Sequence, residues 1–158
     1  MKKPVGSSWK MDEMAVKVKG KLKWLYRAVD NNGDMVDFLL TAKRDKKAAL
    51  RFFKKAVDCN GIPEKINIDK SGANTAAIKD LESYKSEQTK MDRSKYKNNI
   101  IESHHRLIRR MTRPMLGFKN FWSAARLITG IEIVNMFYRG QINCPGNSIA
   151  ERFARLAE

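Results

Sequence analysis

In "KYKNNIIESHHRLIRR" (95–110), Glu102 is the only carboxylate, set among Lys95, Lys97, Arg106, Arg109 and Arg110. Two further acids draw attention by their settings: Asp12, inside "WKMDEMAVKV", and Asp69, closing "INID". Clustered carboxylate oxygens are the usual ligands of hard divalent cations. A pair of such cations about 3.5–4 Å apart can activate a nucleophile and stabilise the leaving oxygen of a phosphodiester. Each acid also has an ordinary reading. Asp12 suits an exposed strand position, Asp69 a turn or helix cap, and Glu102 a surface ion pair with Arg106 four residues on. Only elements that bring the three together turn them into a site.

Those elements can be read from the pattern of apolar residues. Residues 9–18 alternate as a strand, and 22–30 follow after a "GK" turn with Leu22, Trp24, Tyr26 and Ala28 on one face. "NNGD" (31–34) signals a tight turn into a third strand at 35–43. An amphipathic helix spans about 45–58, with Asp45 as its N-cap, Ala49, Phe52, Phe53, Ala56 and Val57 as its stripe, and Gly61 and Pro63 as its stop. A short strand follows at 64–71, then a short helix at 73–84 and a polar stretch at 85–93 where any strand is weak. A helix capped by Asn98 or Asn99 places Ile101, His105, Ile108 and Met111 or Thr112 on one face, until Pro114 and Gly117 break it. Residues 121–140 repeat Phe121, Ala124, Ile128, Ile131 and Val134 at helical spacing, and the tail from 142 reads as a loop and a short helix.

Composition sets the partner class. The chain has 158 residues, 42% of them hydrophobic, which suits one packed domain. Thirty-two Lys and Arg against 17 Asp and Glu give a formal charge of +15, the footprint of a polyanion binder, with DNA or RNA the usual case. The charge is uneven: residues 103–131 carry six basic residues and no acid, and "KRDKKAALRFFKK" (43–55) carries seven with one Asp. No apolar run is long enough to span a membrane and no secretory signal opens the chain. Two distant cysteines, Cys59 and Cys144, indicate neither disulfide nor zinc framework, which fits a reducing cytoplasm.

Three antiparallel strands, then a strand reached through a helix, suggest an α/β domain with a mixed five-stranded sheet flanked by helices, and the ribonuclease H-like fold is one familiar architecture with this order and the leading candidate. Nucleic-acid enzymes of that fold hold metals on a first-strand acid, an acid after the fourth strand and an acid on a late helix. Asp12, Asp69 and Glu102 occupy those three places.

The segments "SSWKMDE", "LYRAVD..G..VDFLLTAKRDKKAALRFFKK", "NIDKSGAN", "KYKNNIIE.HHR.IRRMTRPMLGFK" and "GIE...M" strongly resemble insertion-sequence transposases of the family numbered six, whose core is of the Asp-Asp-Glu type. The resemblance runs from about Ser8 to Gln141. It implies that Asp12, Asp69 and Glu102 are catalytic acids holding two magnesium ions, replaceable by manganese. It also places Arg109 where the family has a basic residue, usually Lys, two helical turns after the Glu. Met14 stands where the family has Thr, and His104 where Asp is common. The family carries a helix-turn-helix ahead of the first strand, so a chain starting almost at the core is expected to be a truncated or degenerate copy.

The expected organisation is a basic segment at 1–8, a catalytic core at 9–141 and a C-terminal loop and helix at 142–158. Lys70, Arg106, Arg109, Arg110, Arg113 and Lys119 are the expected DNA contacts. The expected activity is cleavage and strand transfer on element ends and target DNA, by a homodimer or larger assembly in the bacterial cytoplasm on the nucleoid. Alternatives are a ribonuclease H-type nuclease, a non-catalytic DNA-binding remnant and an RNA-binding structural protein. His104 and His105 read as packing or phosphate contacts. Trp9, Trp24 and Trp122 read as core residues more than base-stacking ones, and Glu13 should point away from Asp12.

Overall fold

The computed structural model describes residues 2–68, 72–85, 89–92, 99–146 and 148–156. Strands β1 (Ser8–Val18), β2 (Lys21–Asp30) and β3 (Met35–Thr41) form an antiparallel meander. After helix α1 (Lys46–Asn60), β4 (Lys65–Asn67) pairs parallel to β1; after α2 (Gly72–Lys85), β5 (Lys90–Asp92) pairs parallel to β4. The sheet order is β3-β2-β1-β4-β5, so the long strand β1 is central. Helix α3 (Asn99–Thr112), a 3₁₀ turn (Arg113–Met115), α4 (Phe121–Tyr138) and α5 (Ile149–Leu156) complete the chain.

Turn chemistry accounts for the meander. Lys19 and Gly20 both take positive φ, the twist a two-residue hairpin demands. At the second turn, Asp30 Oδ1 accepts the N–H groups of Asn32 and Asp34 at 2.9 Å each, and Gly33 has φ 81°. Asp45 caps α1 by accepting the Ala48 N–H at 2.8 Å, as expected, and Asn120 caps α4 through the Trp122 N–H.

Strand alternation sends apolar side chains to two cores. Trp9, Met11, Tyr26, Ala28 and Ile66 pack under α1 and α2 against Phe52, Phe53, Ile78 and Leu81. Met14, Val16, Val18, Leu25 and Leu40 pack on the other face against Ile108 of α3 and Ala124, Ile128 and Ile131 of α4. Helices on both faces of a mixed sheet are the α/β architecture the element order predicted.

Some elements differ from their sequence reading. The fourth strand is shorter than 64–71, ending at Asn67, with 69–71 outside the described residues. The weak strand at 85–93 is real but three residues long, paired on one side only. Trp9 is buried in the core, whereas Trp122 is 71% exposed, because the α4 stripe turns on Ala124, Ile128 and Ile131 and leaves Trp122 in the first turn facing solvent. Trp24 is half-buried beneath the Arg44 guanidinium, 4.9 Å from the ring centre.

Candidate active site

Asp12 lies on β1 with Arg27 of β2 as its cross-strand partner, so both side chains leave the same face of the sheet, the one covered by α3 and α4. Its neighbour Glu13 points the other way, as alternation requires. There the Glu13 carboxylate, almost fully buried, receives Arg44 Nε at 2.6 Å and Asn74 Nδ2 at 3.0 Å.

Helix α3 crosses above Asp12. Ile101 and Ile108 anchor it in the core, which leaves Glu102 facing solvent and turns His105 inward. His105 Nδ1 stands 3.7 Å from Glu102 Oε2 and 4.0 Å from Asp12 Oδ2. One ligand atom from each of Asp12, Glu102 and His105 lies within 4.8 Å of the other two. Asp12 is 25% exposed and Glu102 48%, whereas His105 is 1% exposed. The carboxylates therefore form a mouth open to solvent with the imidazole as its floor. Two oxygen donors and one nitrogen donor at this spacing suit a divalent cation.

Glu102 also accepts a hydrogen bond from Arg109 Nη1 at 2.9 Å, so its surface partner is the residue seven positions on and not Arg106. Both side chains are about half exposed, and such a pair contributes at most about 1 kcal/mol. Its consequence is positional: it orients the carboxylate over the mouth. Arg106, Arg109, Arg110 and Arg113 with Pro114 line a shallow cleft of about 320 Å³ beside it. Lys119 is exposed on the loop beyond. That loop is tied back to β1 by Phe118 N donating to Lys17 O at 2.8 Å and Lys19 N donating to Phe118 O at 2.7 Å. Gly117 permits the approach: its φ is 100°, and a Cβ there would meet Lys17 O at 3.2 Å. Asp69 and Lys70 lie outside the described residues; the chain before them ends at the buried Ile68, whose N–H donates to Asp92 O at 2.9 Å.

Two features were missed in the sequence. His105 reads as packing there, because an apolar face at helical spacing accounts for it. The second is a fully buried ion pair beneath the site. Arg27 Nη2 donates to Glu132 Oε2 of α4 at 3.0 Å, and Nε lies 2.8 Å from Oε1 but off the line of its N–H. A lone acid in the apolar run "LITGIEIVNM" was the available signal for it. Burial lowers the Arg27 pKa and raises that of Glu132, and their mutual attraction opposes both shifts.

Burial, then the charges of Arg27, Arg109 and His104, push His105 down to about 3. Burial, then Arg27 and Arg139, push His104 down to about 4. Both rings are neutral at pH 7.

Residues 6–141, most of the chain and both described acids, match the DDE domain family. The chain belongs to the DDE domain family. Similar curated proteins include transposases. The chain is 34% identical over 133 residues to the transposase for insertion sequence-like element IS431mec of Staphylococcus aureus, covering 83% of this chain and 58% of that protein. It matches the transposase for insertion sequence element IS257 in transposon Tn4003 of the same species to the same extent. The chain thus spans a little over half the length of these curated relatives. The fold of this DDE domain is also that of retroviral integrase cores. It superposes on the HTLV-2 integrase catalytic core domain in complex with magnesium with a TM-score of 0.62 at 16% identity, covering 90% of this chain and 91% of that one. The catalytic core domain of BIV integrase gives a TM-score of 0.62 at 14% identity, covering 96% of each chain.

Proposed function

We propose that this DDE domain is a transposase catalytic core that cleaves and joins DNA strands during movement of an insertion sequence, with Asp12, Asp69 and Glu102 as its catalytic acids. The observation that carries the reading is convergence. Asp12 and Glu102 are 90 positions apart in sequence, yet their carboxylates meet at one solvent-facing mouth beside a row of arginines. Surface acids with no common task have no reason to meet there on a chain of net charge +15.

The donor set fits the group the family uses. Asp12 and Glu102 would hold divalent metal, with Asp69 as the third acid; magnesium, in two ions, is the expected cofactor and manganese its substitute. Bound there, the metal supplies Lewis-acid activation of a water or hydroxyl and charge neutralisation at phosphate. The residues of this chain do the rest. Arg106, Arg109, Arg110 and Arg113, with Lys70 and Lys119, hold the phosphodiester backbone against the mouth. Arg109 holds the Glu102 carboxylate in place while the site is free of DNA, and offers its remaining N–H groups to phosphate. In the first step water oxygen bonds to phosphorus and the bond to the element's 3′ oxygen breaks, leaving a 3′-hydroxyl. In the second, that hydroxyl bonds to a target phosphorus and displaces the target's own 3′ oxygen. Neither step needs a covalent bond between protein and DNA.

The domain division proposed with this activity is a basic segment at 1–8, a core at 9–141 and a C-terminal segment at 142–158. The working form is a homodimer or larger assembly that pairs two element ends, in the bacterial cytoplasm on the nucleoid. Among the described residues no helix is long and apolar enough to cross a membrane.

The test is disintegration of a branched oligonucleotide that mimics a strand-transfer product, which demands little recognition of element ends. The chain should resolve it in magnesium or manganese, and Glu102→Gln should not. A folded wild-type chain that binds DNA but leaves the branch intact in either metal refutes the catalytic reading in favour of a DNA-binding remnant.

A further inference from the structure

We propose that His105 is a protein ligand of the cation held by Asp12 and Glu102, bound through Nδ1. The proposal rests on the metal-site reading above and adds a nitrogen donor that three acids do not provide.

Distance is the first support. Nδ1 lies 3.7 Å from Glu102 Oε2 and 4.0 Å from Asp12 Oδ2. A ring that served to share a proton with either carboxylate would stand at about 2.7–3.2 Å. Donors bound to one cation each stand about 2 Å from it, so they sit about 3–4 Å from one another, according to whether they are adjacent or opposite. The His105 spacings to both acids fall within that range and lie beyond hydrogen-bond reach.

Placement is the second. His105 is 1% exposed and follows Glu102 by three residues on α3, so the two project from one helix face toward Asp12. The rigid helix, anchored by Ile101 and Ile108, fixes the direction of the ring. The third support is that neither ring nitrogen has a hydrogen bond among the described residues. Nε2 is buried and has no hydrogen-bond partner among the described residues. An imidazole that fills space without a hydrogen bond at either nitrogen is poor core material, since an apolar side chain would avoid the desolvation cost. Coordination through Nδ1 gives that nitrogen a task and puts the proton on Nε2, whose acceptor is not among the described residues.

A nitrogen donor changes which cation the site favours. Imidazole suits iron, nickel, copper and zinc, whereas magnesium and manganese suit oxygen donors. The chain should therefore bind Ni²⁺ more tightly than Mg²⁺, and loss of His105 should narrow that difference.

The experiment is pulsed electron paramagnetic resonance on the folded chain loaded with Mn²⁺, which reads ¹⁴N coupling from a directly bound imidazole. The chain has only two histidines, so assignment needs few variants. Wild type and His104→Gln should show ¹⁴N coupling, and His105→Gln should lack it and bind Mn²⁺ at least about tenfold more weakly, the scale on which even supporting residues around a metal act. Mn²⁺ bound without ¹⁴N coupling in the wild type overturns the His105 proposal alone, whatever the variants do. Coupling that persists in His105→Gln overturns it equally. A folded wild type that binds no Mn²⁺ overturns both this proposal and the metal-site reading beneath it.

Discussion

Glu132→Gln should destabilise this domain far more than its single-atom change suggests. Arg27 and Glu132 are both fully buried, and each is the charged partner the other has within the core. Glutamine keeps the shape but removes the charge, leaving a guanidinium in a site that already disfavours its charged form. Breaking one side of a buried pair costs about 3–5 kcal/mol, most of it from the orphaned charge. For a domain of this size about 2–4 °C of melting temperature accompanies each kcal/mol, so a fall of roughly 6–20 °C is expected. Removing both charges reverses the logic. Arg27→Met combined with Glu132→Leu fills similar volume without desolvating ions, and should restore stability to within about 1 kcal/mol of wild type or exceed it. Thermal and urea denaturation of the single and double variants measure both effects and their coupling. The reasoning fails if Glu132→Gln melts within about 2 °C of wild type, or if the double variant loses as much as the two single ones added. Because Arg27 is the cross-strand partner of Asp12, metal affinity should be followed in the same variants.

Acid should weaken the fold through His104, which is 4% exposed and titrates near 4 instead of 6.5. The unfolded chain binds this proton as pH falls through 6.5 and the folded chain does not until about 4, so stability present above 6.5 is lost between those values. A shift of this size corresponds to about 3 kcal/mol, and urea unfolding at pH 7 and pH 4.5 should show most of that loss, reduced in His104→Gln. A pH-independent midpoint would contradict it. DNA binding should depend steeply on salt, and Arg110→Ala with Arg113→Ala should lower the slope of log K against log salt by about 0.9 for each phosphate the variant no longer neutralises. An unchanged slope would place the DNA path elsewhere than the α3 cleft.

Much of the scaffold is readable from local chemistry. The two hairpin turns, the Asp45 cap and the α1 stripe are each decided by residues within a few positions, and the structure has them where the sequence puts them. Asp12 and Glu102 are readable because strand order and a late helix constrain them together, and the structure brings their carboxylates to one mouth. Long-range partners leave weaker traces. Arg27 and Glu132 are separated by 105 positions, and nothing near either one names the other. His105 is hidden for a different reason: a helical face that is apolar on either side of it looks complete without chemistry. Trp122 misled because spacing places it near the α4 stripe while the helix phase turns it to solvent. β5 gives almost no signal because it is three residues long at the sheet edge, with Met91 alone between Lys90 and Asp92 to pack on the core.

Asp69 carries the central claim most directly, since two acids make a cation site but the proposed chemistry assigns the third to it. The decisive measurement is branched-oligonucleotide disintegration by Asp69→Cys in magnesium and in manganese. A thiolate is a poor ligand for magnesium and a better one for softer cations. Resolution should be lost in magnesium and regained in manganese, which only direct contact between position 69 and the cation explains. Wild-type activity of Asp69→Cys in magnesium, or loss in both metals by a variant that folds and binds DNA, would contradict a metal-holding role for Asp69.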